Sequence, residues 1–313
     1  MFYGVHHAGI GVGDMEIALD FWDKKIGFSN VLFDYTGLVP GLSEITKTDQ
    51  TKARIVMLEH QNSTRLGPGF VKLVQRIDGD GPPPLPAGIG YGEVGLAEVC
   101  LHVRDVHRVF DELVENQGCE PLMSPLNAAV PPDDITLEIG YVADPWRGKV
   151  ELIDWTGLHS SHIKTPRIEG VNHVAFGVSD MKQTQEFYRL LGFDDMIFES
   201  TEFFEPMAPW YPPGRQLPGH HMTLTMAKVG AGIEPVRLDP LYEDCRGEWG
   251  HVGPMEFAIG VRDIDAAVAY LQEQGIEIYS DPQVIDVGTS EFKYVYFKDP
   301  DGQFVCLTEI KQR

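Results

Sequence analysis

The stretch VNHVAFGVSD at residues 171–180 decides how this chain is read, because VHHAGIGVGD at 5–14 nearly repeats it. In each, a histidine stands seven residues before an aspartate and a mostly apolar run fills the interval. Two further stretches, AEVCLHVRD at 97–105 and MEFAIGVRD at 255–263, align on the same aspartate. His7, Glu98, His173 and Glu256 then share one position, and Asp14, Asp105, Asp180 and Asp263 share another. A phrase written four times in order marks an internal repeat.

The segments after the four aspartates are also alike. MEIALDFWDKKIGF, VHRVFDELVENQGCE, MKQTQEFYRLLGF and IDAAVAYLQEQGIE carry apolar residues at three- and four-residue steps, with a glycine near each end. That pattern predicts a helix with a glycine stop. The aspartates read as N-caps, accepting from free backbone N–H groups at the positive helix end. Strands are expected over 53–60, 70–76, 222–229 and 234–240, and as hairpins turning at Asp-Pro within 136–155 and 293–310. The unit is strand, helix, strands. The Pro/Gly-rich stretches 78–95 and 203–220 read as loops, the second aromatic enough to wall a pocket or only a surface insertion.

Alternate residues of a strand share a face. One face of the four first strands carries Ala8, Ile10, Val12; Val99, Leu101, Val103; Val174, Phe176, Val178; and Phe257, Ile259, Val261. These should pack under the helices. The other face opens with an ionisable residue and continues mostly with small ones: His7, Gly9, Gly11; Glu98, Cys100, His102; His173, Ala175, Gly177; Glu256, Ala258, Gly260. Small residues beyond a polar one leave room, which points to a concave cup.

The 313 residues, 43% of them hydrophobic, suffice for two domains with cores of their own. No apolar run approaches the ~18 residues of a membrane span, and the N-terminus has no secretory-signal pattern. The four cysteines are scattered without a CxxC pair, as expected of reduced thiols in a cytoplasmic protein. A formal charge of −22 disfavours nucleic acid and anionic membranes as partners, but not a small-molecule substrate.

The fourfold plan, the first-strand phrases and the DPDGQFV turn resemble the vicinal oxygen chelate superfamily, which includes glyoxalase I, methylmalonyl-CoA epimerase, extradiol dioxygenases and bleomycin-resistance proteins. The likeness covers nearly the whole chain. It implies an α+β fold of four βαβββ modules in two domains, 1–157 and 168–313, joined by a linker over 158–167, each with a cup-shaped mixed sheet. It also implies metal ligands on the first strand of a module and a glutamate on the last. His7 and His173 match the first-strand histidine. Glu98 and Glu256 stand where the second module usually has histidine, a departure. Glu151, counted from Asp144-Pro145, matches the last-strand glutamate; Cys306 holds that place in the second domain. The last-strand place of the first and third modules falls on Lys72 and Arg237, 65 and 64 residues after His7 and His173.

The resemblance thus points to a divalent ion (Fe, Mn, Co, Mg or Zn) held by His7, Glu98 and Glu151, with His173 replacing His7 if modules pair across domains. Two carboxylates facing one cup need a cation or a proton, and an oxygen-rich set suits the harder ions. His173, Glu256 and Cys306 form a weaker second set. Lys72 and Arg237 could bind a substrate carboxylate or phosphate, or neutralise Glu256 or Glu98. His102 is an acid–base candidate beside Glu98 and Glu151. Read singly, each of these residues is more often structural; the matched repeat positions make the set. The implied activity is a metal-dependent isomerase or lyase of glyoxalase or epimerase type, stabilising an enolate or enediolate. Alternatives are an Fe(II) extradiol-type dioxygenase, whose two-histidine, one-carboxylate set fits poorly, and a metal-free binding or resistance protein. A monomer or a homodimer is compatible with the sequence.

Overall fold

The computed structural model describes residues 1–63, 69–79, 91–130, 135–156, 165–202, 205–210, 219–240, 246–288 and 290–312. Most of the expected linker, and most of the loops at 78–95 and 203–220, lie outside these residues. Residues 205–210 form a short 3-10 helix.

Each module has four strands. The first contains β1 (Phe2–Gly11), β2 (Asn30–Leu38), β3 (Lys52–Glu59) and β4 (Phe70–Arg76). The second contains β5 (Gly95–Arg104), β6 (Glu120–Val130), β7 (Ile135–Ala143) and β8 (Lys149–Trp155). The third contains β9 (Arg167–Gly177), β10 (Asp195–Ser200), β11 (Gly219–Met226) and β12 (Gly232–Asp239). The fourth contains β13 (Gly253–Val261), β14 (Gln283–Asp286), β15 (Ser290–Lys298) and β16 (Phe304–Gln312). The second strand of each module, at β2, β6, β10 and β14, has no counterpart among the strands expected from sequence.

After the first strands come the helices: α1 (Met15–Leu19) and α3 (Val106–Asp111), each continuing as a wider π-helical turn, α4 (Met181–Leu190) and α5 (Ile264–Glu273). The short α2 (Ser43–Thr46) is an extra turn. All four aspartates cap: the side chains of Asp14, Asp105, Asp180 and Asp263 accept backbone N–H bonds from the first helical turn. Such a cap contributes about 0.5–2 kcal/mol. Each of the four helices that follow a first strand is succeeded by a glycine with positive φ (Gly27, Gly118, Gly192 and Gly275), the left-handed stop that residues with a Cβ adopt at a cost.

The strands form two eight-stranded sheets, ordered β14-β15-β16-β13-β1-β4-β3-β2 and β10-β11-β12-β9-β5-β8-β7-β6. The first module therefore pairs with the fourth, and the second with the third. Neither 1–157 nor 168–313 owns a sheet; each contributes half of both. The physical reason is an edge: every first strand needs an antiparallel neighbour for its free backbone groups. β1 finds it in β13, and β5 in β9.

The apolar faces of all four first strands enter one core with the helices, including Ile10, Leu101, Phe176 and Phe257. Phe176 stacks on Phe257 at 5.4 Å and so joins the two sheets. Burying each such side chain is worth about 1.5–3 kcal/mol. The opposite faces curl into two cups. Among the described residues no helix is long and apolar enough to cross a membrane.

Candidate metal centre

The cup of the second sheet is built around its two central strands. On antiparallel β5 and β9, Cys100 lies opposite His173 and Glu98 opposite Ala175. Parallel β8 brings Glu151 beside Cys100, and parallel β12 brings Glu234 beside Ala175. Each last-strand glutamate thus stands two positions beyond its module's first-strand ligand. Glu98, Glu151, His173 and Glu234 meet in one buried cluster.

The cluster's polar atoms are aimed inwards. His173 Nδ1 lies 2.7 Å from Asn172 Oδ1, which accepts its proton and leaves the Nε2 lone pair free. That Nε2 is 3.4 Å from Glu151 Oε2 and 3.6 Å from Glu234 Oε2. Tyr141 Oη is 2.9 Å from Glu151 Oε1 and 3.3 Å from Glu98 Oε1, while Tyr91 donates to Glu234 Oε1 at 2.7 Å. The thiol of Cys100 lies 3.7 Å from Glu98 Oε1. His173 Nε2, Glu151 Oε2 and Glu98 Oε2 are buried with no hydrogen-bond partner among the described residues.

The electrostatics reflect this crowding. Burial raises the Glu98 carboxyl well above its ordinary range, and Glu151 and Glu234 add to that. Burial lifts Glu151 to about 7. Burial and the charge of Glu151 lift Glu234 to about 8. Burial also pulls His173 down to about 3. A neutral imidazole facing several carboxylates has lone pairs pointing at lone pairs. A proton or a divalent cation between them relieves that conflict. Carboxylate oxygen and imidazole nitrogen are donors such an ion accepts. Ligand atoms of Cys100, Glu151 and His173 all lie within 4.8 Å of one another. The donor set fits the ion, and the histidine carries the outer hydrogen bond that orients metal-ligating imidazoles.

Beside the cluster opens a cavity of about 120 Å³ lined by Tyr91, Leu137, Tyr141, Phe198, Met207 and Met222, with Glu151 and Glu234 at its wall. Its only other charged lining residue among those described is Glu202.

Several sequence expectations need correction. His7 does not join Glu98 and Glu151; it lies on β1 in the other sheet, and His173 takes that place because modules pair crosswise. For the same reason His173 is not with Glu256 and Cys306: β13 and β16 lie in the sheet of His7. Arg237 is not the counterpart of Lys72. Lys72 pairs with Gly9, two beyond His7, and the matching partner of Ala175, two beyond His173, is Glu234. Arg237 is half-buried and donates from Nε to the Ser179 carbonyl at 3.1 Å. Of the two roles expected for Lys72, the structure has the second: it is buried against Glu256 as its counter-ion and not open to a substrate. His102 shares the face of Cys100, but its Nδ1 lies 3.3 Å from Glu169 Oε2 and its ring stacks on Trp155. It does not line the cavity.

Sequence reasoning missed Glu234, Cys100, Asn172, Tyr91 and Tyr141 as members of the cluster. Glu234 could have been found by alternation on the strand IEPVRL; equal spacing from the histidine concealed it, because the loops of the two modules differ in length.

Paired βαβββ modules that curl into cups define a glyoxalase-like two-domain fold. Residues 170–307 match the model of the Glyoxalase/Bleomycin resistance protein/Dioxygenase superfamily. No curated protein sequence matches the chain. Among solved structures, glyoxalase I from Zea mays is similar at 17% identity with a TM-score of 0.57, over 98% of this chain and 92% of that one. A Bacillus subtilis protein provisionally assigned as a dioxygenase is similar at 13% identity with a TM-score of 0.56, over 98% of this chain and 85% of that one. At these identities the likeness is one of fold.

Proposed function

We propose that this chain is a metal-dependent isomerase or lyase of the glyoxalase or epimerase kind, working in the cup of the second sheet. Glu98, Glu151, His173 and Glu234 would hold one divalent ion there. The observation that carries this reading is the convergence of His173 Nε2 on Glu151 Oε2 and Glu234 Oε2, at 3.4 and 3.6 Å, with the nitrogen unpartnered among the described residues. When bound, the ion supplies positive charge that stabilises an oxyanion beside a carbon losing a proton.

The chain's own residues supply the rest. Glu151 borders the cavity, where its carboxylate is placed to take a proton from a substrate carbon and return it. Tyr141 holds the other oxygen of that carboxylate and fixes its direction. Tyr91 does the same for Glu234. The apolar lining excludes water and favours a compact, neutral substrate. Its volume of about 120 Å³ compares with the ~150 Å³ apolar cavity known to take benzene.

The test joins metal content to proton chemistry. Purified protein should contain a divalent metal by elemental analysis, and Glu151→Gln should lose it. With metal present, the protein should exchange the C–H of a neutral α-hydroxyketone for deuterium without consuming oxygen. Oxygen uptake with a catechol would replace the isomerase reading by the dioxygenase one. Full metal content in Glu151→Gln would overturn the ligand set.

A further inference from the structure

The two cups obey the same registers and hold different chemistry. Lys72 lies beside Gly9 and Glu234 beside Ala175, in each case two positions past the module's histidine. Cys306 lies beside Ala258 and Glu151 beside Cys100, two past Glu256 and Glu98. Isolated bridges give the same equivalence: Gly69 faces Val171, and Ala231 faces Val5. Where the second sheet gathers His173, Glu234, Glu98 and Glu151, the first gathers His7, Lys72, Glu256 and Cys306.

Exchanging one carboxylate for an ammonium changes what the cup needs. Lys72 Nζ forms an ion pair with Glu256 Oε1, and the two side chains are only 2% and 0% exposed. Trp249 Nε1 donates to Glu256 Oε2 at 2.8 Å, and Tyr296 Oη lies 3.4 Å from Lys72 Nζ. Gly9 makes room for the pair: a Cβ there would collide with Glu256 Cγ. His7, buried beside the ammonium, is held neutral by burial and by the charge of Lys72. Its Nε2 has no hydrogen-bond partner among the described residues. One carboxylate and one ammonium cancel, so a divalent ion entering this cup would meet a fixed positive charge at the position of a ligand.

We propose that Lys72 is the built-in cation of the first cup. Its ammonium takes the role that a metal ion would have, so the chain binds one metal ion, in the second cup only. The pair also ties β4 of the first module to β13 of the fourth whether or not metal is present. This inference does not depend on the reaction the second cup performs.

The experiment counts Mn(II) bound per chain after desalting, by elemental analysis of the full-length protein. Wild type should hold one ion, lost in Glu151→Gln. Lys72→Glu, which places a carboxylate at the register position of Glu234, should hold two, and adding Glu151→Gln should return it to one. If Lys72→Glu folds poorly without metal, Mn(II) should raise its melting temperature more than that of wild type; Lys72→Gln, with an amide at the same place, should show a smaller gain. Two ions in wild type would overturn the proposal, as would one ion that survives Glu151→Gln. So would Lys72→Glu and Lys72→Gln variants that gain neither an ion nor Mn(II)-dependent stability. A wild type without metal would overturn both the proposed function and the count of one ion, while the Lys72 variants would still decide the role of the ammonium.

Discussion

Tyr141 holds Glu151: its phenol oxygen lies 2.9 Å from Oε1, leaving Oε2 to face His173. The bond links β7 to β8 across the cup floor, opposite each other in register. A carboxylate held at one oxygen presents the other in a fixed direction, as a metal ligand must. Tyr141→Phe removes the hydroxyl and keeps the ring, which packs edge-on against Trp210 at 4.6 Å. The expected result is a folded protein whose metal affinity or turnover falls by about 10–100-fold, the usual cost of losing an outer-sphere partner. Competition with a chromophoric chelator measures the affinity; an unchanged value would mean that Tyr141 does not orient the site.

Glu234 and Arg237 separate the strand register from the sequence count. Glu234→Gln should lower metal affinity strongly, because its Oε2 is one of the two carboxylate oxygens facing His173 Nε2. Arg237→Gln should leave it unchanged, since that guanidinium bonds the Ser179 carbonyl. The opposite ranking in a metal titration would refute the register equivalence.

Gly9 tests the packing of the first cup. Gly9→Ala drives a Cβ into Glu256 Cγ, and the buried pair with Lys72 leaves that side chain little freedom. Overpacking of this kind costs about 1–3 kcal/mol. Denaturant unfolding should show the loss, with metal content of the second cup unaltered.

His102 gives a pH dependence of stability. Burial, with the charge of Arg104, pulls its pKa from 6.5 to about 4 in the folded protein. A group depressed on folding contributes stability that is present above its unfolded pKa and lost as pH falls through the folded one. Stability should therefore decline between about pH 6.5 and 4, and His102→Asn should flatten that part of the profile. Urea melts across this window, compared with wild type, check it; parallel curves would show that His102 does not contribute.

The sequence by itself determined the repeat, the four helix caps and the inward face of each first strand. These are local: a carboxylate before a helical pattern caps it, and alternation assigns faces wherever a strand lies. It also placed Glu98, Glu151 and a histidine on faces that could meet. It did not decide which histidine. β1 and β9 present the same edge to a partner, and either could have satisfied β5; only the folded chain chose β9. Nor did it locate Glu234, because parallel neighbours are set by register, and unequal loops hide register from residue counting. For Lys72 it left two roles open, binding a substrate anion or neutralising Glu256 or Glu98, and only the pairing that brings β13 and Glu256 against it chose between them. Local physics fixed what each strand offers, and long-range pairing fixed which offers meet.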